Sequence, residues 1–208
     1  MTRAGGLFVA FEGGEGVGKT TQIAAARAWL VASGHEVVAT REPGGTALGA
    51  RLRAAVLDPD GAVTPRAEAL IYAADRAQHV ETVVGPALAA GAVVLTDRYV
   101  DSTLAYQGAG RGLTVPDARV VTDWATAGLL PRLTVLLDLD PRIGLARAAA
   151  RSAPDRLEAA SLDFHDAVRA GFRALAAADA GRYLVLDAAA DPDELTAAVR
   201  RALEPLLD

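Results

Sequence analysis

The chain has 208 residues, 51% hydrophobic and 23% charged, with 21 Lys and Arg against 26 Asp and Glu and a formal net charge of −5. This is the balance of an ordinary globular domain, and it argues against both a disordered chain and a basic surface for a nucleic-acid polymer or an anionic membrane. With no cysteine in the chain, disulfides, thiolate catalysis and cysteine-held metals are excluded as well.

In chain order, residues 1–6 (MTRAGG) carry no signal-peptide apolar core and lead into the apolar run 7–11, LFVAF. Four more short runs follow at 37–39, 93–95, 133–137 and 183–186. Rich in Val and Leu with little polar alternation, they predict strands buried on both faces of a parallel sheet. The intervening stretches have helical spacing, as in 22–33 and 47–57. Gly34 stands where a helix C′ glycine is favoured, and Pro65, Pro116, Pro141 and Pro192 stand at first helical positions. Asp191 with Glu194 has the form of a capping box. Alternating strands and helices predict right-handed βαβ units, an α/β doubly wound sheet in one domain over 1–208. The apolar stretch 83–95 is broken by Gly85, Pro86 and Gly91 and is too short to span a bilayer, so the expectation is a cytoplasmic protein.

Between the first strand and first helix, Gly13-x-x-x-x-Gly18-Lys19-Thr20 matches the P-loop pattern in full. Glycines let the backbone N–H groups curl inward, the helix N-terminus adds partial positive charge, and Lys19 reaches the terminal phosphates of a nucleotide. Thr20 offers a hydroxyl to Mg²⁺. The loop residues Gly13, Gly14, Glu15, Gly16, Val17, Gly18, Lys19, Thr20 and Thr21 are therefore the expected ATP site. Glu15 is the odd member, an anion in a loop shaped for anions.

A P-loop leaves the reaction open. A GTPase would need an asparagine-containing base-reading motif, and the chain has no asparagine. A motor or transport ATPase usually pairs the loop with a strand ending in adjacent acids, whereas here one aspartate, Asp97, is followed at once by Arg98. A small-molecule kinase needs a second phosphate site facing the loop. Arg41, Arg53, Arg76 and Arg98 lie at or near strand C-termini or on helices that cover them, the edge where open α/β sheets bind ligands. Arg147, Arg151 and Arg156 surround a break between helical stretches, predicting an arginine-bearing lid at about 147–158.

The segments FEGGEGVGKTTQ, TREPGGT, YAADRAQHVE, TDRYVDSTLAYQGAGRG and ARSAPDRLE resemble those of the thymidylate kinase family, in its order and spacing, from Phe8 to about Leu186. The resemblance implies a P-loop nucleoside monophosphate kinase fold, a five-stranded parallel sheet flanked by helices, and the reaction ATP + dTMP to ADP + dTDP. It implies Lys19 and the loop amides on ATP, with Arg147 beside them, and Thr20 and Asp97 on Mg²⁺. Arg98 and Arg53 would grip the dTMP phosphate, and Tyr72 would stack on thymine. Arg76, Ser102, Thr103 and Gln107 would lie at the base, and Tyr106 at the sugar 2′ position. Glu15 would accept a hydrogen bond from the acceptor 3′-hydroxyl, and a homodimer is implied.

Gly16 stands where some relatives carry an arginine; those with glycine place the catalytic arginine in the lid, here Arg151. Two departures stand in the lid: Ala149 where bacterial relatives often have a further arginine, and Pro154, which would stiffen the segment. His35, His79 and His165 are scattered without ligand spacing and receive no role. Two alternatives stay open: another nucleoside monophosphate or deoxynucleoside kinase of the same fold, and a non-catalytic nucleotide-binding protein.

Overall fold

Each of the five expected runs is a strand in the computed structural model: β1 (Leu7–Glu12), β2 (Val37–Arg41), β3 (Val93–Asp97), β4 (Leu133–Asp138) and β5 (Tyr183–Asp187). The structure describes residues 5–111, 113–151 and 153–207. Residues 1–4, which bear on the leader expectation, and Ser152 in the expected lid lie outside the described residues, as do Gly112 and Asp208.

Every strand runs one or two residues beyond its apolar run at the C-terminal end. The added residues are polar, among them Glu12, Arg41 and Asp97. The backbone ladder continues where the apolar side chains stop, pairing Phe11 and Arg41 each with Asp97. Glu12, Arg41 and Asp97 are thus fixed in the ladder at the sheet edge, not left on loops.

The strands pair in the order β2-β3-β1-β4-β5, all parallel. Helices α1 (Lys19–Ala32), α2 (Ala47–Leu57), α3 (Pro65–His79), α4 (Gly85–Ala89), α5 (Val100–Thr103), α6 (Val115–Thr126), α7 (Pro141–Ala149), α8 (Leu162–Ala178) and α9 (Pro192–Leu203) cover the two faces. Alternate residues of β1 feed opposite cores, as the two-residue period of a strand requires. Leu7, Val9 and Phe11 pack with Ile23 and Leu30 of α1 and Val199 and Leu203 of α9. Phe8 and Ala10 pack with Val84, Val94 and Tyr99. A third cluster under β4 gathers Leu136, Tyr106, Phe164 and Phe172.

Helix α1 begins at Lys19, three residues before its expected start, because Gly18 turns left-handed (φ +96°) and delivers Lys19 straight into the first turn. Proline opens α3, α7 and α9 and stands second in α6. Asp191 caps α9 by accepting from the Asp193 amide, a tighter turn than the capping box expected with Glu194. After α5 the chain continues as a π-helical stretch, Leu104–Gly110, in which the Arg111 N–H bonds Tyr106 O five residues back. Among the described residues no helix is long and apolar enough to cross a membrane.

Chain order switches direction at β1, which has β3 on one side and β4 on the other. The loop after β1 therefore leaves the sheet at the crevice where such folds take ligands.

Candidate active site

Two glycines of the loop are required by close approach. A Cβ on Gly13 (φ +133°) would stand 2.4 Å from Leu137 O, and one on Gly16 (φ +64°) would stand 2.0 Å from Gly144 O in α7. Lys19 is buried and folds back over the loop, its Nζ donating to Gly14 O at 2.8 Å and Gly13 O at 3.2 Å. The N-terminus of α1 has no side-chain cap, so its free N–H groups stay open to an anion. Val17 buries its side chain in the core, which leaves only its backbone for the loop's work. Thr20 and Thr21 are exposed on the first turn of α1.

Glu15 does not point at the loop's amides. Its Oε1 accepts from Arg98 Nη2 and from the Tyr106 hydroxyl, each at 2.7 Å. Burial by itself would raise its pKa, but the Arg98 guanidinium, Lys19 and the Tyr106 hydroxyl outweigh burial and hold it at about 2. Glu15 is therefore a carboxylate throughout the neutral range.

Arg98 carries the backbone strain of the site, at φ +69° in the left-handed region. Its N–H bonds Phe11 O at 2.9 Å, and its own carbonyl accepts from Thr96 Oγ1 at 2.9 Å, so the turn is held from both sides. The guanidinium also donates to Gly13 O at 3.0 Å and Ser102 Oγ at 3.2 Å and lies 4.9 Å from the Tyr106 ring centre.

Beside this pair opens a cleft lined by both polar and apolar side chains, the mix typical of a ligand site. Glu15, Arg53, Tyr72, Arg76, Arg98, Ser102, Thr103, Tyr106 and Gln107 all line it, so every residue expected at the second substrate is brought together. Helix α5 supplies Ser102 and Thr103, and the π-helical stretch after it Tyr106 and Gln107, to the lining. Tyr72 is buried in the same cluster as Tyr106, and burial raises its pKa above the ordinary tyrosine value. Arg53 donates to Pro43 O at 3.1 Å.

The cleft is wired from behind by buried acids. Arg76 Nε donates to Glu42 Oε2 at 2.6 Å, Nη1 to Thr103 Oγ1 at 3.0 Å and Nη2 to Tyr99 O at 2.9 Å. Glu42 also accepts from His79 Nδ1 at 2.8 Å, and His79 Nε2 pairs with Thr40 Oγ1 at 2.7 Å. Glu12 accepts from Ser102 Oγ at 2.6 Å and from the Tyr99 and Ser102 amides. Burial, with the charge of Asp101 added, pushes Glu12 up to about 7. Glu68 accepts from Gln107 Nε2 at 2.8 Å.

Glu42 belongs to the Glu42–Gly45 turn that the family resemblance makes a support of the acceptor site, but sequence reasoning gives Glu12 and Glu68 no site role and expects none for His79. The signal lay in α3. Glu68, Tyr72, Asp75, Arg76 and His79 are all buried there at helical spacing, polar residues on a face that periodicity would fill with aliphatics.

On the other side of the loop, a cavity of about 1110 Å³ is bordered by Gly16, Gly18, Thr21, Arg147, Arg151 and residues 188–192. Arg147 Nη1 donates to Ala188 O at 3.2 Å. Between the two spaces a third, of about 780 Å³, joins Gly16, Lys19 and Thr20 to Arg53, Asp97, Arg98 and Arg151. Arg151 is exposed and borders both phosphate-side spaces. Arg156, grouped by sequence with the lid arginines, faces the other way. Its Nε donates to Val56 O at 2.8 Å and its Nη2 bonds Glu68, tying the segment to α2 and α3.

Asp97 Oδ1 is buried without a hydrogen-bond partner and borders the same space as Thr20. An orphaned carboxylate oxygen beside a hydroxyl fits a hard divalent cation. No cluster of three or more His, Cys, Asp or Glu occurs among the described residues, so such an ion would need phosphate and water for its other ligands.

A phosphate-binding loop, a lysine laid across it and a separate arginine-walled cleft that meets it end-on define a P-loop phosphotransferase of the nucleoside monophosphate kinase type. The thymidylate kinase family model matches residues 11–199. Thymidylate kinases of Clavibacter michiganensis subsp. michiganensis and Deinococcus radiodurans are 56% and 58% identical to the chain over 97% and 95% of its length, in each case covering 96% of the relative. The crystal structure of the Ehrlichia chaffeensis thymidylate kinase superposes with a TM-score of 0.80 at 29% identity, over 96% of this chain and 99% of that one. The chain belongs to the thymidylate kinase family, whose members are ATP-dependent phosphotransferases.

Proposed function

We propose that the chain transfers the γ-phosphoryl group of ATP to dTMP, releasing ADP and dTDP. The observation that carries this reading is that Glu15, Glu42, Arg53 and Arg98 border both the acceptor cleft and the P-loop cavity. Two anionic substrates seated in these spaces bring their phosphates together at Arg98 and Arg53, and the lysine, the loop amides and the arginines spread the charge of the transferring group.

In this reading ATP lies along the loop, its phosphates on Lys19 Nζ and the amides at residues 13–21, with Arg147 beside it. Arg53 and Arg98 clamp the acceptor phosphate, and planar guanidiniums suit that task. An oxygen of that phosphate attacks the γ-phosphorus in line as the bond to the ADP oxygen breaks. Arg151, on the lid segment at 147–158, lies across the junction and neutralises the group in flight. Tyr72 stacks on the base, Arg76, Thr103 and Gln107 read its edge, and Tyr106 crowds the sugar 2′ position. Glu15, pinned between Arg98 and Tyr106, keeps a lone pair for the 3′-hydroxyl. Thr20 and Asp97 would hold Mg²⁺, which when bound offsets phosphate charge.

The same reading makes the enzyme a cytoplasmic homodimer. Leu70 on α3 and Val120 and Trp124 on α6, two helices packed together, are exposed, with Trp124 at 84%, and apolar exposure of that kind marks contact surfaces. Sedimentation of the purified chain checks the dimer.

Release of ADP from ATP with dTMP, dUMP, dCMP and UMP offered separately tests the function. Turnover should be fastest with dTMP. Faster turnover of dCMP or UMP would move the chain to another nucleotide kinase activity, and no acceptor-dependent ADP release would make it a nucleotide-binding protein only.

A further inference from the structure

We propose that Glu68 sets the base preference of the cleft by fixing which end of the Gln107 amide faces the ligand. The inference rests on the cleft being the nucleoside monophosphate site. Glu68 is fully buried on α3, and Gln107 is 2% exposed. One oxygen of Glu68 accepts from Gln107 Nε2 at 2.8 Å and from Arg111 Nε at 3.4 Å, while Arg156 Nη2 bonds the other.

A carboxylate held between two guanidiniums acts only as an acceptor. The nitrogen end of the Gln107 amide must therefore face it, and this orientation follows from the network. Gln107 Oε1 is thereby turned away from Glu68 on a side chain that lines the cleft. Arg76 has the opposite character, because a guanidinium offers donors only, and three of its N–H groups are already held by Glu42, Thr103 and Tyr99 O.

Of these two side chains, Gln107 thus offers an acceptor and Arg76 its remaining donors. A base that matches them carries a ring N–H next to a carbonyl, as in thymine and uracil. Cytosine presents a ring-nitrogen acceptor where Gln107 has an acceptor, and an amino donor in place of one carbonyl. In a buried site such a mismatch leaves polar groups unpaired on both sides, the strongest kind of discrimination a pocket has. If residue 68 were an amide, it could donate or accept, and Gln107 would have two orientations of similar energy. Nothing in the device senses the thymine 5-methyl group.

The experiment is titration calorimetry of dTMP, dUMP and dCMP on the wild type, Glu68→Gln, Arg156→Gln and Gln107→Leu. In Glu68→Gln the ratio of dCMP to dTMP dissociation constants should shrink by about tenfold, while the dUMP to dTMP ratio stays within about twofold of wild type. Arg156→Gln, which loosens the same carboxylate without changing its acceptor character, should keep the wild-type ratio. An unchanged dCMP to dTMP ratio in a folded Glu68→Gln protein overturns the inference. If that variant does not fold, Glu68→Gln/Arg156→Gln, which removes one charge of each sign, carries the same comparison. Gln107→Leu binding dTMP as tightly as wild type would show that the cleft is not the base site, and would overturn that reading and this inference together.

Discussion

The two halves of the site are made of different material. The donor half is backbone: glycines in left-handed conformations, open amides at the start of α1, and a lysine whose own bonds go to carbonyls of the loop. The acceptor half is paired side-chain charge, buried or partly buried: Arg98 with Glu15, Arg76 with Glu42, and Arg156 with Glu68. Backbone cradles accept any phosphate of the right size, whereas paired side chains with fixed donors and acceptors distinguish one ligand from another. The common feature of nucleotide enzymes is therefore assembled locally, and the feature peculiar to this one is assembled across the fold.

Three changes break or sharpen that contrast. Lys19→Met should cut turnover by at least about 1000-fold in an ADP-release assay, with little loss of fold, since Lys19 bonds only to loop carbonyls. Arg98→Ala should lower kcat/KM for dTMP by roughly 100-fold and leave ATP affinity within about threefold, because a partly buried charge pair is lost on the acceptor side alone. Loss of ATP affinity in that variant would mean that Arg98 serves the donor half.

The third change is a pH dependence of stability. Glu12 sits at about 7 in the folded chain against 4.5 ordinarily, so between those values the folded state binds the extra proton. Stability contributed by Glu12 is then full below pH 4.5, falls as pH rises, and levels off above pH 7. Compared with Glu12→Gln, the wild type should lose up to about 3 kcal/mol across that window in urea titrations. A constant difference between the two proteins from pH 4.5 to 7.5 would place Glu12 as an ordinary ionised acid.

The same contrast explains what was legible in the sequence. All five strands, the loop and the nine cleft residues that the family resemblance names were readable, because apolar runs and motif spacings are properties of short segments, whereas Leu57, Asp155 and Leu157, which also line the cleft, were not. The end of β2 was not, since Thr40 and Arg41 continue the ladder after the apolar signal has stopped. Nor were Glu12 and Glu68 behind the cleft. Glu12 meets Ser102 across 90 positions of chain, and Glu68 meets Arg156 across 88. Such pairs leave no local spacing, and only the polar residues on the buried face of α3 hinted at them. Arg156 illustrates the cost, because its neighbours in sequence are the residues expected to form a lid while its neighbours in space belong to α2 and α3.

Gly16 and Gly144 meet backbone to backbone, so close that neither tolerates a Cβ, and a Cβ on Gly144 would stand 2.2 Å from Glu15 O. Helix α7 therefore takes its height above the sheet from the phosphate loop itself, with no side chain as a spacer. Arg147 lies three residues further along that helix, and Arg151 just past its end. The two cations are dimensioned from the same datum as the loop whose neighbouring space they border. Their reach is a fixed number of helical residues, and a change at either glycine resets it for both.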